Sequence, residues 1–279
     1  MVLSQKIEDE ISKKLSDLLE KSIVTKIPRR KFGLLLSGGL DSSIIAFILK
    51  KNKEEFRCYT IEINNGNFKK SEDVEYSIRF SKDLNLDTKI IYSTEEELED
   101  AVISIIKLIP NIDTTKLSIA LPMFLCFKQA KRDGCEDIFV GTGCDTVFAG
   151  FNKCKRIENI NEACEQDLKE IFKKIDSREL ILARDIGLNL IFPFLDKNII
   201  EYSLTIPQEY KIKSGIEKYI LRKTAEKMGV QGFITNRKKK AIQYSSNSQK
   251  SLKKLAKKSG FRKISGYLDY LKKKLDSKN

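Results

Sequence analysis

Residues 34–43 read Leu34-Leu35-Leu36-Ser37-Gly38-Gly39-Leu40-Asp41-Ser42-Ser43, an apolar run that ends in two glycines and resumes as a helix start. Few folds accommodate that order. The apolar run is too short for a helix and suits a buried strand, and the helix begins within a few residues of the strand's end. Such a strand–turn–helix unit belongs to a parallel sheet. The turn also aims free backbone N–H groups and the positive end of a helix dipole at one point. Gly38 and Gly39 let the backbone come close to an anion there, and Ser37, Ser42 and Ser43 add hydroxyl donors. Asp41 would repel a bare phosphate, but it suits a site in which a carboxylate orients a bound Mg²⁺. The loop is not of the G-x-x-x-x-G-K-[ST] type, because no lysine follows the glycines, and it is not a G-x-G-x-x-G fingerprint.

The rest of the first half keeps the same rhythm. Strands are expected at 32–36, 56–63, 88–92 and 136–141, and helices at 4–24, 42–52, 71–86, 95–108 and 117–132. This predicts an α/β fold, a parallel sheet with crossover helices. After residue 150 the pattern turns mostly helical, with a helix expected at 216–229 and closed by Gly229. No repeat or low-complexity linker intervenes, so the helical half should pack on the sheet. We place one domain at 1–250 and a basic helical tail at 251–279.

Composition excludes several chemistries. The 279 residues contain no histidine, which removes His-based triads, imidazole zinc ligands and imidazole proton shuttles. Hydrophobic residues at 41% and charged residues at 33% describe a globular chain rather than a disordered one. No apolar run is long enough to cross a bilayer, and Glu8, Asp9 and Glu10 near the start are unlike a signal peptide. The expectation is a cytoplasmic protein without a membrane partner, whose six cysteines are reduced thiols. The net charge of +13 suits a polyanionic partner, nucleotide or RNA, or simply a lysine-rich surface.

The segment Ser37–Ser43 resembles the SGGxDS loop of the N-type ATP pyrophosphatases, and its Leu40 and doubled serine resemble the asparagine synthetase family. Residues 135–151 (CEDIFVGTGCDTVFAGF) resemble that family's second pyrophosphate loop. Residues 184–196 (RDIGLNLIFPFLD) resemble its Arg…PFLD segment, 215–222 (GIEKYILR) its Gly-x-x-Lys-x-x-x-Arg segment, and 237–249 (RKKKAIQYSSNSQ) its basic C-terminal segment. The match spans residues 10–250 in motif order.

The resemblance implies an adenine nucleotide α-hydrolase-like fold, a five-stranded parallel sheet with helices on both faces. It implies an ATP- and Mg²⁺-dependent ligase that forms AMP and pyrophosphate, adenylating an aspartate-like carboxylate for attack by ammonia or an amine. Ser37, Gly38, Gly39, Asp41 and Ser42 would then hold pyrophosphate. Asp41 and Asp145 would share the metal. Lys218, on a helix, would reach the α-phosphate and acyl oxygen, with Arg222 one turn further on the same face. Adenine would lie against the backbone at Leu36, Ile61, Val140 and Gly141.

Two departures bear on the amidation step. The family's second loop, Gly-Glu-Gly-x-Asp-Glu, is here Gly141-Thr142-Gly143-Cys144-Asp145-Thr146, so threonines replace both glutamates while Asp145 is kept. Asp185 or Asp196 could supply a substitute carboxylate. Residue 2 is Val2 rather than a catalytic cysteine, and the expectation is free ammonia, a separate glutamine amidotransferase subunit, or another nucleophile.

Alternatives remain open. Cys144 could serve a PP-loop enzyme that modifies tRNA through base adenylation, or it could simply fill a tight loop. The two threonines suit a catalytically altered ATP-binding relative. The basic stretches 237–240 and 250–279 could bind RNA, with Tyr244, Phe261, Tyr267 and Tyr270 as stacking surfaces, or form a solvated helix with Leu268, Leu271 and Leu275 on its inner face.

Overall fold

A computed structural model describes residues 2–63 and 70–277. Five parallel strands form one sheet: β1 Phe32–Leu35, β2 Arg57–Ile63, β3 Thr88–Ser93, β4 Asp137–Phe139 and β5 Asn189–Ile191, in the order β3-β2-β1-β4-β5. The first four match the expected strands. β5 supplies the fifth strand that the resemblance implies, at a position the sequence pattern did not mark, and completes the edge beside β4.

Strand periodicity explains why helices cover both faces. Successive side chains point to opposite sides of a sheet. In β1, Phe32 and Leu34 enter one core while Leu35 packs on the other. In β4, Phe139 joins the first and Ile138 the second; in β2, Cys58 joins the first while Tyr59, Ile61 and Ile63 join the second. The first core is closed by helices α1 Val2–Val24, α2 Leu40–Lys51 and α3 Glu72–Leu84. In α1, Ile11, Leu15, Leu19 and Ile23 are buried at four-residue spacing, the stripe that drives its docking. The second core is closed by α4 Glu95–Leu108 and α5 Thr114–Arg132, the former begun by a capping box between Thr94 and Glu97.

The basic tail joins this second core. Helices Ser248–Lys258 and Ile264–Asp276 bury Leu252, Leu255, Tyr267, Leu268 and Leu271 against it, and Leu275 is partly buried. Among the described residues, no helix is long and apolar enough to cross a membrane.

The sequence order of the sheet positions the site. From β1 the chain runs outward to β2 and β3, then returns across β1 to β4 and β5. Parallel sheets bind ligands outside the carboxyl ends of the strands at such a reversal. The Ser37–Gly39 turn follows β1, and the Gly141–Asp145 turn follows its neighbour β4.

Candidate active site

The loop after β1 is built for an anion. Helix α2 starts at Leu40 behind Gly39, which supplies no side-chain cap, so its first N–H groups have neither a preceding turn nor a capping oxygen. The loop closes loosely on itself: Ser37 N donates to Ser42 Oγ at 3.2 Å and Gly39 N to Ser37 Oγ at 3.3 Å. These are long contacts that a phosphate oxygen could replace. Gly38 has φ +63°, and a Cβ there would sit 2.6 Å from both Ser77 N and Tyr76 Cβ. Gly38→Ala should therefore lower stability by about 2–4 kcal/mol, through left-handed strain and overpacking, and weaken nucleotide binding with it. Urea unfolding and ATP titration check this; a variant as stable as the parent with unchanged ATP affinity would exclude it.

Opposite the loop stands Lys218. Its backbone departs from the expected helix over 216–229. Residues Ile212–Lys213 and Ile216–Glu217 form a small antiparallel hairpin, and the helix runs from Tyr219 to Met228. The hairpin turns through Ser214 and Gly215, both at positive φ. Lys218 follows it as a left-handed N-cap with φ +54°, so the chain turns sharply and points the side chain at the sheet. Gly229 ends the helix at φ +102°, as expected.

Lys218 Nζ lies 2.7 and 2.8 Å from the two oxygens of Asp41 and 2.6 Å from Asp145 Oδ1. Its side chain is 2% exposed. Burial opposes its charge, but Asp145 and Asp41 outweigh burial and push its pKa up. Asp145 is the counterpart: burial would raise it, yet Lys218 and Lys239 hold it well below the usual carboxylate range. Both groups stay charged through neutral pH. Lys218 is thus a fixed cation and no general base. The pair fits only because residue 150 is glycine, since a Cβ at Gly150 would fall 2.1 Å from Asp145 Oδ1 and 2.3 Å from Lys218 Cε.

In the run Arg237–Lys240, Arg237 is buried and Lys239 turns to the site, while Lys238 and Lys240 stay exposed. Lys239 Nζ pairs with Asp145, and Lys240 pairs with Glu72 at 2.5 Å. Arg237 is 7% exposed; it donates to the Ser37 carbonyl and to Asp73, each at 2.8 Å, and lies over the Tyr76 ring. Arg222 holds this run in place. Its guanidinium donates to the carbonyls of Glu217 (2.9 Å), Thr235 (2.6 Å) and Arg237 (2.8 Å). Arg222 is therefore a buried clamp on backbone that also lines the cavity next to Lys218. The two walls enclose a cavity of about 130 Å³ lined by Ser37, Gly39, Asp41, Lys218 and Lys239.

Other expected residues fall elsewhere. Leu36, Val140 and Gly141 lie at the carboxyl ends of neighbouring strands β1 and β4, and Ile61 lies in β2 beside them, but none of the four lines the cavity. The Leu36 carbonyl already accepts from Thr60 Oγ1 (2.5 Å) and Ser77 Oγ (2.9 Å). Cys144 is fully buried, and burial together with Asp41 pushes its thiol far up, which makes it packing rather than a nucleophile. Thr146 is buried and Thr142 half-buried. Asp196 caps the helix Lys197–Thr205 through Asn198 N and pairs with Lys26, while Asp185 is exposed; neither reaches the cavity. Tyr267 is buried and offers no stacking surface.

Asp41 and Asp145 are the carboxylates that could hold a magnesium ion, with Lys218 Nζ seated between them in this structure. Asp145 Oδ1 is buried and contacts an ammonium without hydrogen-bond geometry, so the oxygen is left with a charge partner only. Among the described residues, no group of three or more Asp, Glu, Cys or His side chains is set to hold a metal. Two carboxylates suffice when phosphates complete the shell.

The sequence profile of the asparagine synthase family matches residues 14–185 and 160–274. A candidate glutamine-hydrolyzing asparagine synthetase of Methanocaldococcus jannaschii is 29% identical over 99% of this chain and 57% of its own length. Asparagine synthetase of Gallus gallus is 32% identical over 71% of this chain and 36% of its own, and asparagine synthetase B of Escherichia coli 28% over 78% and 42%. The chain thus spans about half the length, or less, of these curated relatives. Among solved structures, NMN synthetase from Francisella tularensis superposes with a TM-score of 0.46 at 12% identity, over 96% of this chain and 93% of that one.

Proposed function

The chain belongs to the asparagine synthase family, and from that premise we propose that it is an ATP-dependent ligase that adenylates an aspartate-like carboxylate for amidation. The observation that supports this most is one buried cation, Lys218, held by Asp41 and Asp145 directly opposite the anion-binding loop. In the proposed reaction a carboxylate oxygen attacks the α-phosphorus. The bond from that phosphorus to the bridging oxygen breaks, and pyrophosphate leaves with the electron pair. Ammonia then attacks the acyl carbon, the bond from that carbon to the AMP oxygen breaks with its electron pair on AMP, and the proton lost from the nitrogen passes to the departing phosphate or to water.

The chain's own groups match the charge that develops. The N–H groups at the start of α2 and the hydroxyls of Ser37 and Ser42 hold the leaving phosphates. Lys218 stabilises negative charge on the α-phosphoryl oxygens without giving up its proton. Asp41 and Asp145 would hold Mg²⁺, which supplies Lewis-acid neutralisation of the phosphates. With Thr142 and Thr146 in place of acids, the nitrogen nucleophile should arrive already neutral, as ammonia itself or from a separate glutamine amidotransferase subunit.

A second reading, RNA as a partner of the tail, is favoured by one feature. An open groove of about 800 Å³ between the last two helices is lined by Lys253, Lys257, Arg262, Lys263 and Phe261, with exposed Tyr270 beside Phe261. One screen separates the readings: pyrophosphate release from ATP with single amino acids plus ammonia, and with total tRNA. Release that needs aspartate and ammonia is expected. Release that needs tRNA would replace the first reading with the second. Nucleotide binding without turnover under any condition would leave a catalytically altered relative. ADP and inorganic phosphate as products would end the adenylation reading.

A further inference from the structure

We infer that Cys154, Cys164 and Lys211 form a peroxide-sensitive site behind the phosphate pocket, where the two thiols close to a disulfide with the Lys211 amine as proton acceptor. The bond-forming chemistry stands apart from the proposed ligase reaction; only its effect on turnover rests on that reading.

Placement makes the first argument. Cys154 lies in the short 3-10 helix Asn152–Arg156 and Cys164 in the helix Ile160–Lys174, and the two share a small core of their own with Ala149 and Ile160. Both are buried free thiols, with nine residues between them. Asn152, Lys153, Lys155 and Arg156 around Cys154 are exposed, so its cover is little more than one turn of a weak helix type, which opens locally. Such an opening admits a small oxidant and lets the sulfurs meet across a short loop.

The second argument is a lysine with nothing to bind. Lys211 ends the short helix Gln208–Lys211, is fully buried, and its Nζ has no hydrogen-bond partner. Burial pulls the amine below its usual value, and the groups that act against this are the Cys164 and Cys154 thiols. Burial pushes both thiols up, while Lys211 and the Ala149 N–H draw Cys164 back down. The amine is thus a base for the Cys164 proton, and the resulting ammonium and thiolate satisfy each other.

The chemistry balances with hydrogen peroxide as the oxidant. Lys211 takes the Cys164 proton, and the thiolate attacks one peroxide oxygen. The O–O bond breaks, and the departing hydroxide recovers the proton from Lys211 and leaves as water. The Cys154 sulfur then attacks the sulfenic acid on Cys164, the S–O bond breaks, and a second water carries off the Cys154 proton. Two thiols are oxidised by two electrons, and the peroxide is reduced to water.

The site touches the catalytic pair through the backbone. Cys164 accepts the Ala149 N–H, and Ala149 sits at φ +55°, a conformation that needs such support. The next residue is Gly150, against Asp145 and Lys218. Drawing the Cys164 sulfur to Cys154 removes the acceptor and loosens the turn behind that pair.

The test treats the full chain with hydrogen peroxide and reads the cross-link by peptide mass spectrometry without reduction. A Cys154–Cys164 link that dithiothreitol reverses is expected, with Cys58, Cys126, Cys135 and Cys144 left as thiols. Lys211→Met should slow its formation by about 10-fold or more, yet unfold in urea no earlier than the parent, because it removes an unpartnered buried amine. The parent should lose most of its pyrophosphate release on oxidation and regain it with dithiothreitol, while Cys154→Ser keeps its rate throughout. Absence of the link, or a link formed at the parent's rate in Lys211→Met, overturns the inference. A link that leaves turnover unchanged overturns the coupling to the pocket. A reduced protein that releases no pyrophosphate under any condition sinks the ligase reading instead, and the mass spectrum still decides the disulfide.

Discussion

Lys218→Met should lower the rate of pyrophosphate release from ATP by about 10³-fold, with a much smaller change in ATP affinity. Methionine keeps the length and volume of the side chain, so the loss reports the charge. Removing a single preorganised donor at a developing oxyanion costs about 10²–10³-fold, and Lys218 in addition neutralises two carboxylates that would otherwise face the phosphates. The same variant should have an altered acid limb. In the parent, Asp145 is held below the ordinary carboxylate value. The stability this contributes is fully present above that ordinary value and is lost as pH falls through the depressed one. Without Lys218 the depression shrinks, so acid unfolding should begin at higher pH. Single-turnover kinetics and an acid-unfolding curve check both parts. A variant that raises KM for ATP while leaving kcat intact would show that Lys218 only binds.

Gly150→Ala should lower kcat as well, by about 10²-fold, although residue 150 has no side chain to contribute. The added methyl would overlap Asp145 Oδ1 at 2.1 Å and Lys218 Cε at 2.3 Å. Neither can move far, because Asp145 is also held by Lys239 and Lys218 by Asp41. A displacement near 1 Å at a reacting group costs about 10²-fold in rate, and overpacking costs about 1–3 kcal/mol in stability. Gly150 is not in the left-handed region, so the effect comes from space rather than backbone strain. Parallel measurement of kcat and of the urea midpoint distinguishes the two costs. A normal kcat in Gly150→Ala would mean that the Asp145–Lys218 geometry does not govern the reaction.

The parts of the molecule that sequence patterning exposed are those decided locally. Strand and helix periodicity around Leu34–Ser43 depends on neighbours within a few residues, and the sheet, α1 to α5 and the phosphate loop all follow from it. Lys218 and Asp145 were found through motif resemblance. The backbone that aims Lys218 was missed, because a lysine at positive φ contradicts its own preference and is imposed by the turn at Ser214 and Gly215. A Ser-Gly pair between Ile-Lys and Ile-Glu was the available signal for that hairpin. The inward turn of Arg237 was not legible for a different reason. A run of four basic residues has no intrinsic direction, and the groups that draw Arg237 inward, Ser37 and Asp73, are far away in sequence. The three-residue β5 is too short to carry a period at all.

That distance has a consequence for biogenesis. The sheet is complete once β5 is made at residue 191, yet Lys218 and Lys239 come later in the chain. During synthesis, which runs from the N-terminus, a nascent polypeptide emerging from the ribosome acquires its scaffold well before these two lysines can join Asp41 and Asp145. Asp41 and Asp145 face neither lysine counter-ion in that interval, so the emerging chain should repel phosphates until Lys218 and Lys239 appear.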